Sequence, residues 1–237
     1  MIVKTAVILA GGLGTRLRGT VPNLPKPMAP INDRPFLEYL IDYWISQGIN
    51  RFILSIGYLK DVFIDHFGEN YKNACIEYFV EEEPLGTGGG LLLASKDLTE
   101  PFIVINGDTF IEVDLDSLCS FHEHKDSGWT LSLFQTTQSE RYMGIGVNQN
   151  DEIVSLNLEL DKSINLANGG VYLINPKLLD TLGYRVGSKV SLEDELLPSF
   201  ISKKGRLFGK EFNGRFIDIG LPSDYFQAEK IITQLKN

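Results

Sequence analysis

The stretch that most restricts the fold is Thr5–Leu17. Thr5 to Ala10 is a run of small, β-branched and apolar residues, which reads as a buried strand. It stops at Gly11 and Gly12, and Gly14, Thr15 and Arg16 follow at once. Glycines at a strand-to-helix turn allow positive φ and let the backbone approach a ligand. The amides of such a turn form a concave anion site, and Arg16 adds a permanent positive charge. This points to a cradle for phosphates, with a plain connecting turn as the alternative. Two better-known phosphate loops do not fit. A P-loop needs Lys-Ser/Thr after its last glycine, where this chain has Thr15-Arg16. A G-x-G-x-x-G fingerprint begun at Gly12 would end on Leu17.

Strands and helical patterns alternate after this turn. Val21–Pro30 carries four prolines and reads as extended loop. Residues 36–47 space Phe36, Leu37, Tyr39, Leu40, Tyr43 and Trp44 as one face of a helix, a core stripe. Arg51–Ile56 and Ile76–Val80 read as strands around a helix at Leu59–Phe67. Residues 81–90 read as a second glycine-rich turn before a short helix at Leu91–Ala94, and Pro101–Ile105 is a strand running into Asn106-Gly107-Asp108. This rhythm predicts βαβ units and a mainly parallel sheet. Further on, 117–125 reads as helix, 129–136, 144–158 and 170–174 as strand, and 176–182 as a short helix. Ser191 with Asp194 reads as a capping box opening a helix to about Ile201. Asn213-Gly214 between two strand-like runs predicts a hairpin, and a last helix covers Ser223–Leu235 with Tyr225, Phe226, Ala228, Ile231, Ile232 and Leu235 apolar. No linker, repeat or low-complexity tract divides the 237 residues, so a single domain is expected.

Charge narrows the partners. A net charge of −9 disfavours nucleic acid and anionic membranes, where neutralising phosphate drives affinity. Cations that meet phosphate must then be few and placed. Cys75 and Cys119, without C-x-x-C spacing, are expected to be reduced and buried in a cytoplasmic protein. No apolar run reaches transmembrane length. His66, His122 and His124 show no metal spacing, and solvated or helix-end roles are expected for them.

Ligands of parallel sheets bind beyond the carboxyl ends of the strands. Gly11–Arg16, Glu81–Gly90 and Asn106–Asp108 all fall there, which favours one crevice. Asp108 follows a strand and a glycine, and Asp218 stands in Phe-Ile-Asp-Ile-Gly at a strand end. Each carboxylate needs a partner, either an arginine or helix end, or a Mg²⁺ shared with substrate phosphates. Lys26, between Pro25 and Pro27, is either aimed at a phosphate by its prolines or a solvated loop lysine.

Gly11-Gly12-Leu13-Gly14-Thr15-Arg16-Leu17, Pro25-Lys26-Pro27-Met28, Glu83-Pro84-Leu85-Gly86-Thr87-Gly88-Gly89 and Asn106-Gly107-Asp108 together resemble the ordered signature of sugar-1-phosphate nucleotidyltransferases. Asn168-Gly169-Gly170-Val171-Tyr172 and Phe216-Ile217-Asp218-Ile219-Gly220 resemble that family's sugar-binding and second metal segments, so the likeness spans nearly the whole chain. It implies a Rossmann-like three-layer α/β sandwich with a mainly parallel, mixed sheet, of the nucleotide-diphospho-sugar transferase type. Residues 1–110 would form the nucleotide half and 111–237 the sugar-phosphate half. It also implies a nucleoside triphosphate and a sugar 1-phosphate as partners, Mg²⁺ as cofactor, and a nucleotide-sugar and pyrophosphate as products. Carried over by position, Leu9, Ala10, Gly11, Gly12, Gly14, Thr15, Glu81, Pro84, Gly86 and Thr87 would hold the nucleotide. Arg16 would meet the leaving pyrophosphate and Lys26 the α-phosphate, with Asp108 and Asp218 on the metal. Gly144, Glu159, Lys162, Asn168 and Gly169 would hold the sugar phosphate, Asp161 being an alternative to Glu159. The family's usual Glu-Lys-Pro is replaced here by Asp161-Lys162-Ser163.

Glu81 stands where the base edge would be read. Guanine presents two adjacent N–H donors that one carboxylate can accept, whereas uracil presents one donor between two acceptors. The Pro-Lys-Pro-Met-Ala-Pro-Ile-Asn-Asp run and the chain length look most like the bacterial D-glycero-α-D-manno-heptose 1-phosphate guanylyltransferases, which implies GTP as donor and a role in surface polysaccharide. Alternatives are mannose 1-phosphate as acceptor, uridylyl or thymidylyl transfer, and a nucleotide-sugar sensor without catalysis. A sensor would be expected to lack Arg16, Lys26 or Asp108, and all three are present. A homo-oligomer is compatible with the sequence.

Overall fold

The computed structural model describes residues 1–12, 14, 17, 19–138, 140–158 and 165–232. The elements are β1 (Thr5–Leu9), a 3₁₀ turn at Lys26–Met28, β2 (Pro30–Ile31), β3 (Arg34–Pro35), α1 (Phe36–Ser46), β4 (Arg51–Ile56), α2 (Lys60–Phe67), β5 (Asn70–Tyr71), β6 (Ala74–Val80), α3 (Gly86–Ala94), β7 (Phe102–Asn106), β8 (Thr109–Ile111) and α4 (Leu115–His124). They continue with β9 (Trp129–Thr136), β10 (Gly144–Val147), β11 (Ile153–Leu158), β12 (Asn165–Ile174), α5 (Lys177–Thr181), a π-helical turn at Leu192–Leu196, α6 (Leu197–Ser202), β13 (Leu207–Glu211), β14 (Phe216–Asp218) and α7 (Pro222–Ile232).

Period-two side-chain alternation builds a core on each face of one sheet. Ala6 and Ile8 of β1, Phe52, Leu54 and Ile56 of β4, and Ile103 and Ile105 of β7 face α1, α2, α4 and α7. Val7, Ile53, Phe102 and Val104 face α3, the π turn and α6. The result is a helix–sheet–helix sandwich. Sheet order is β11-β10-β12-β7-β1-β4-β6-β5, with β9 added to β12 and β13 to β9. β7, β1, β4 and β6 run parallel, as does the β9/β13 pair. β12 runs antiparallel to β7 through Val171–Ile174 and to β9 along most of its length. The β12/β9 register shifts between Asn168 and Tyr172, a bulge that centres on Gly169 and Gly170.

Several elements differ from expectation. The helix after Glu81 begins at Gly86, so Gly88, Gly89 and Gly90 lie inside α3, buried. Their low helix propensity is outweighed by packing, because the chain at 188–192 crosses them closely. The 144–158 run is two strands, β10 and β11, paired antiparallel. Asn213-Gly214 makes no hairpin. β13 pairs with β9 and β14 with β8, and neither Asn213 nor Gly214 has the positive φ that a type I′ turn needs. Gly214 instead packs on Glu112. Pro25–Ala29 folds into the 3₁₀ turn within the proline-rich loop. Ser191 does cap the next helix, accepting from Asp194 N at 3.0 Å, but its own N–H donates to Glu195 Oε1, because the first turn is a wider π turn. Cys75 is exposed, its side chain alternating outward between buried Ala74 and Ile76; Cys119 is buried, and both thiols are free. Phe226 of α7 is 68 % exposed. Among the described residues no helix is long and apolar enough to cross a membrane.

His122 lies in the last turn of α4, the helix-end alternative, and is buried rather than solvated, with Nδ1 2.8 Å from Thr130 Oγ1. Burial pushes its pKa down from 6.5 to about 4. Between these values the unfolded chain binds the extra proton, so stability is full above pH 6.5 and is lost as pH falls toward 4. The shift corresponds to a loss of about 3 kcal/mol by pH 4. Chemical denaturation from pH 7 to 4 is expected to show this slope in the wild type and a flatter one in His122→Gln; equal slopes would remove His122 as its source.

Candidate active site

The first, third and fourth parallel strands all end on one crevice. β1 runs into Ala10 and Gly11, β6 into Glu81, and β7 into Asn106, Gly107 and Asp108. Backbone pairing continues past the strands, with Ala10 N donating to Ser55 O at 2.8 Å and Gly107 N to Leu9 O at 3.0 Å. The crevice encloses about 370 Å³ and is also lined by Gly12, Gly14, Lys26, Pro84, Gly86 and Thr87. Its position beyond the carboxyl ends is the one expected for a ligand of a parallel sheet.

One wall carries the charge. Lys26 is aimed by the 3₁₀ turn, in which Met28 N donates to Pro25 O and Ala29 N to Lys26 O. Its Nζ donates to Asp108 Oδ2 at 2.5 Å and lies 3.7 Å from Asp218 Oδ1, and its side chain is only 9 % exposed. The two carboxylates come together because β14 pairs with β8, placing Asp218 opposite Thr109, and because Ile219 N donates to Asp108 O at 3.0 Å. Asp218 Oδ1 accepts from Gly220 N at 2.6 Å. Arg141 donates to Asp218 Oδ2 and to its carbonyl, both at 3.2 Å, and pairs with Asp224 as well. Two hard carboxylates on one rim suit Mg²⁺ shared with ligand phosphates better than a metal caged by protein alone. No group of three or more His, Cys, Asp or Glu that could hold a metal occurs among the described residues.

The opposite wall is α3. Glu81 Oε2 accepts from Leu85 N at 2.9 Å and Oε1 from Ser55 Oγ at 3.0 Å, while Gly11 and Gly90 leave room for the carboxylate. Each oxygen keeps a lone pair beyond these bonds. Gly88 N and Gly89 N both donate to Val190 O, so these two amides in the first turn of α3 are satisfied within the chain.

Behind the crevice lies the β12 bulge. Gly170 has φ +78°, and a Cβ there would stand 2.5 Å from Thr109 Oγ1 and 3.1 Å from Asn106 Nδ2, so only glycine fits. Asn168 Oδ1 accepts from Gly170 N at 3.0 Å, and Asn168 Nδ2 donates to Tyr172 OH at 2.7 Å. Asn106 Oδ1, Thr109 Oγ1 and Ser132 Oγ are buried around the bulge without a hydrogen-bond partner.

The sequence model of nucleotidyl transferases matches residues 5–235. The chain belongs to the nucleotidyl transferase family. This nucleotidyl transferase is 38 % identical over 221 residues to the D-glycero-alpha-D-manno-heptose 1-phosphate guanylyltransferase of Campylobacter jejuni, covering 93 % of this chain and 96 % of that protein. It is 39 % identical over 227 residues to the protein of the same name from Aneurinibacillus thermoaerophilus, with 95 % and 96 % covered. The crystal structure of HddC from Yersinia pseudotuberculosis complexed with GMP-PN superposes with a TM-score of 0.84 at 34 % identity, over 96 % of this chain and 99 % of that one.

In the nucleotidyl transferase, Leu9, Ala10, Gly11, Gly12, Gly14, Lys26, Glu81, Pro84, Gly86, Thr87 and Asp108 line a single crevice, and Asp218 reaches it through Lys26. Gly144 sits opposite Ala167 and Leu158 in the sheet, and Asn168 and Gly169 form the bulge; these three do not line the crevice itself. Thr15, Arg16, Glu159, Asp161 and Lys162 lie outside the described residues. Sequence reasoning missed Arg141 and Glu193. Arg141 stands in no motif and Glu193 reads only as part of a helix start, and only pairing across the fold reveals their partners.

Proposed function

We propose that the protein transfers the guanylyl group of GTP to D-glycero-α-D-manno-heptose 1-phosphate, giving GDP-heptose and pyrophosphate. The observation that carries this reading is the 38 % and 39 % identity, over almost the full length of both partners, to two proteins named for that reaction. A phosphate oxygen of the sugar 1-phosphate forms a bond to the α-phosphorus of GTP while the bond from that phosphorus to the bridging oxygen breaks. Pyrophosphate leaves opposite, without a covalent enzyme intermediate. The work of the chain is therefore positioning and neutralisation of charge.

The ammonium of Lys26, buried and held from two sides, is placed to meet the α-phosphate. Arg16 takes the leaving pyrophosphate and Lys162 the sugar's phosphate. Glu81 accepts from the guanine edge with its remaining lone pairs. Asp108 and Asp218 would hold Mg²⁺, which supplies neutralisation of the phosphate charge when bound. Asn168 and Gly169 contact the sugar. The product's place in surface polysaccharide synthesis and a cytoplasmic location belong to the same proposal.

Pyrophosphate release with Mg²⁺ tests it, crossing GTP, ATP, CTP, UTP and dTTP with manno-heptose, mannose, glucose and N-acetylmuramic acid 1-phosphates. Release with GTP and the heptose phosphate alone is expected. Release with another pair would keep the chemistry and replace the substrates; a silent grid from folded protein would favour a nucleotide-sugar sensor.

A further inference from the structure

A polar chain, buried at its centre, connects the two substrate sides. Thr87, on α3 at the crevice, donates through Oγ1 to Glu193 Oε2 at 2.8 Å and accepts from Leu192 N at 2.9 Å. The other oxygen of Glu193 accepts from Tyr172 OH at 3.2 Å. Tyr172 is fully buried, and its hydroxyl accepts in turn from Asn168 Nδ2 at 2.7 Å. Asn168 Oδ1 then accepts from Gly170 N, closing the bulge. A tyrosine hydroxyl has a single proton, so donating it to Glu193 leaves Tyr172 to accept from Asn168, in agreement with the amide orientation that Gly170 N imposes on Oδ1.

We propose that Glu193 is a positioning residue for the acceptor substrate: through Tyr172 it holds the Nδ2 end of Asn168, whose Oδ1 end is fixed by Gly170 N in the bulge. The inference rests on the reading of Asn168 as a sugar contact. Glu193 touches neither substrate. Its carboxylate determines the direction of the tyrosine's hydrogen bond, and the Gly170 turn depends on the same asparagine. If Glu193 is removed, the tyrosine proton is free to turn against the Asn168 Nδ2–H, so Asn168 is held only by its Oδ1 bond to Gly170 N and its side chain populates further rotamers. Only the fraction of molecules in the original orientation binds the acceptor, so apparent affinity falls by that fraction. GTP, held by the β1 turn, Glu81 and a Thr87 hydroxyl that still accepts from Leu192 N, is affected less.

The test is steady-state kinetics on full-length Glu193→Ala, Glu193→Gln and Tyr172→Phe, with GTP and the sugar 1-phosphate on which the wild type proves most active. Wild-type turnover thereby stands apart from the outcome for Glu193. Glu193→Ala is expected to raise KM for the sugar 1-phosphate about tenfold while KM for GTP changes less than about twofold. Glu193→Gln keeps a carbonyl for Tyr172 and an amide for Thr87, and is expected to restore the acceptor KM to within about threefold of wild type. Tyr172→Phe is expected to reproduce the effect of Glu193→Ala, and the double variant to add nothing, since residues acting as one unit are not additive. Equal rises in both KM values, or an unchanged acceptor KM in Tyr172→Phe, would overturn the proposal. If Glu193→Ala fails to fold, Tyr172→Phe decides alone.

Discussion

Asp108→Asn is expected to lower turnover by about three orders of magnitude while leaving the fold intact, on the scale of removing one charged group that acts on a developing phosphate charge. The asparagine keeps the shape of the side chain and loses its charge. Lys26, which donates to Asp108 Oδ2 at 2.5 Å, would then lean on Asp218 alone, and the rim would keep one carboxylate for a metal instead of two. Stability should hardly change, because the Asp108 side chain is 37 % exposed and takes no part in the core. Pyrophosphate release read beside a thermal melt checks both halves of the expectation. Activity within about tenfold of wild type would remove Asp108 from the chemistry, since such a loss is less than about 1.4 kcal/mol of transition-state stabilisation.

The largest loss of stability is expected at Gly89. Intrinsic propensity alone favours alanine in a helix interior by about 1 kcal/mol. Sterics oppose it more strongly here. A Cβ on Gly89 would run into the Ser188 carbonyl oxygen and stand 2.6 Å from the Leu85 Cβ, and both belong to or adjoin backbone that cannot swing aside. Gly88 N and Gly89 N also depend on the nearby Val190 carbonyl, so displacing the 188–190 segment would uncap α3. We expect Gly89→Ala to cost about 2–4 kcal/mol net, from overpacking and lost caps. At this chain length that lowers Tm by roughly 5–15 °C. Gly12→Ala is the control, because a Cβ there meets nothing within 4 Å and the residue has no positive φ. Its Tm should stay near wild type, with any effect falling on KM for the nucleotide. A Tm for Gly89→Ala equal to that of Gly12→Ala would mean that 188–192 does not hold α3.

These two glycines show how far the sequence could be read. Gly12 at a strand end was legible as a crevice residue because the apolar run before it marks where the strand stops. Gly89 was not legible as a helical residue. A run of glycines has the lowest helix propensity short of proline, and the reason for it lies in a segment one hundred positions further along the chain. The apolar run of β1 and the βαβ rhythm predicted a buried, mainly parallel sheet, and the three strand ends predicted one crevice. The meeting of Asp108 and Asp218 could not be read locally, because it depends on the β8–β14 pairing. The same pairing defeated the Asn213-Gly214 hairpin: a strong local turn signal lost to two strands that find better partners elsewhere. His122 was legible as a helix-end residue but its burial was not, since Thr130 on the neighbouring strand satisfies the ring.

The position of β12 has a consequence for the chain as it is made. β7 lies inside the finished sheet, with β1 on one edge and β12 on the other. β1 precedes β7 in the chain, but the residues of β12 that cover its second edge, Val171–Ile174, follow Asn106 by about 65 residues. At synthesis rates of roughly 5–20 residues per second, that edge stays unpaired for about 3–13 s on each ribosome. During this interval Phe102–Ile105, apolar throughout, presents a row of open amides and carbonyls to other nascent chains. Translation speed between residues 106 and 174 should therefore govern the yield of soluble protein more than speed anywhere else in the message.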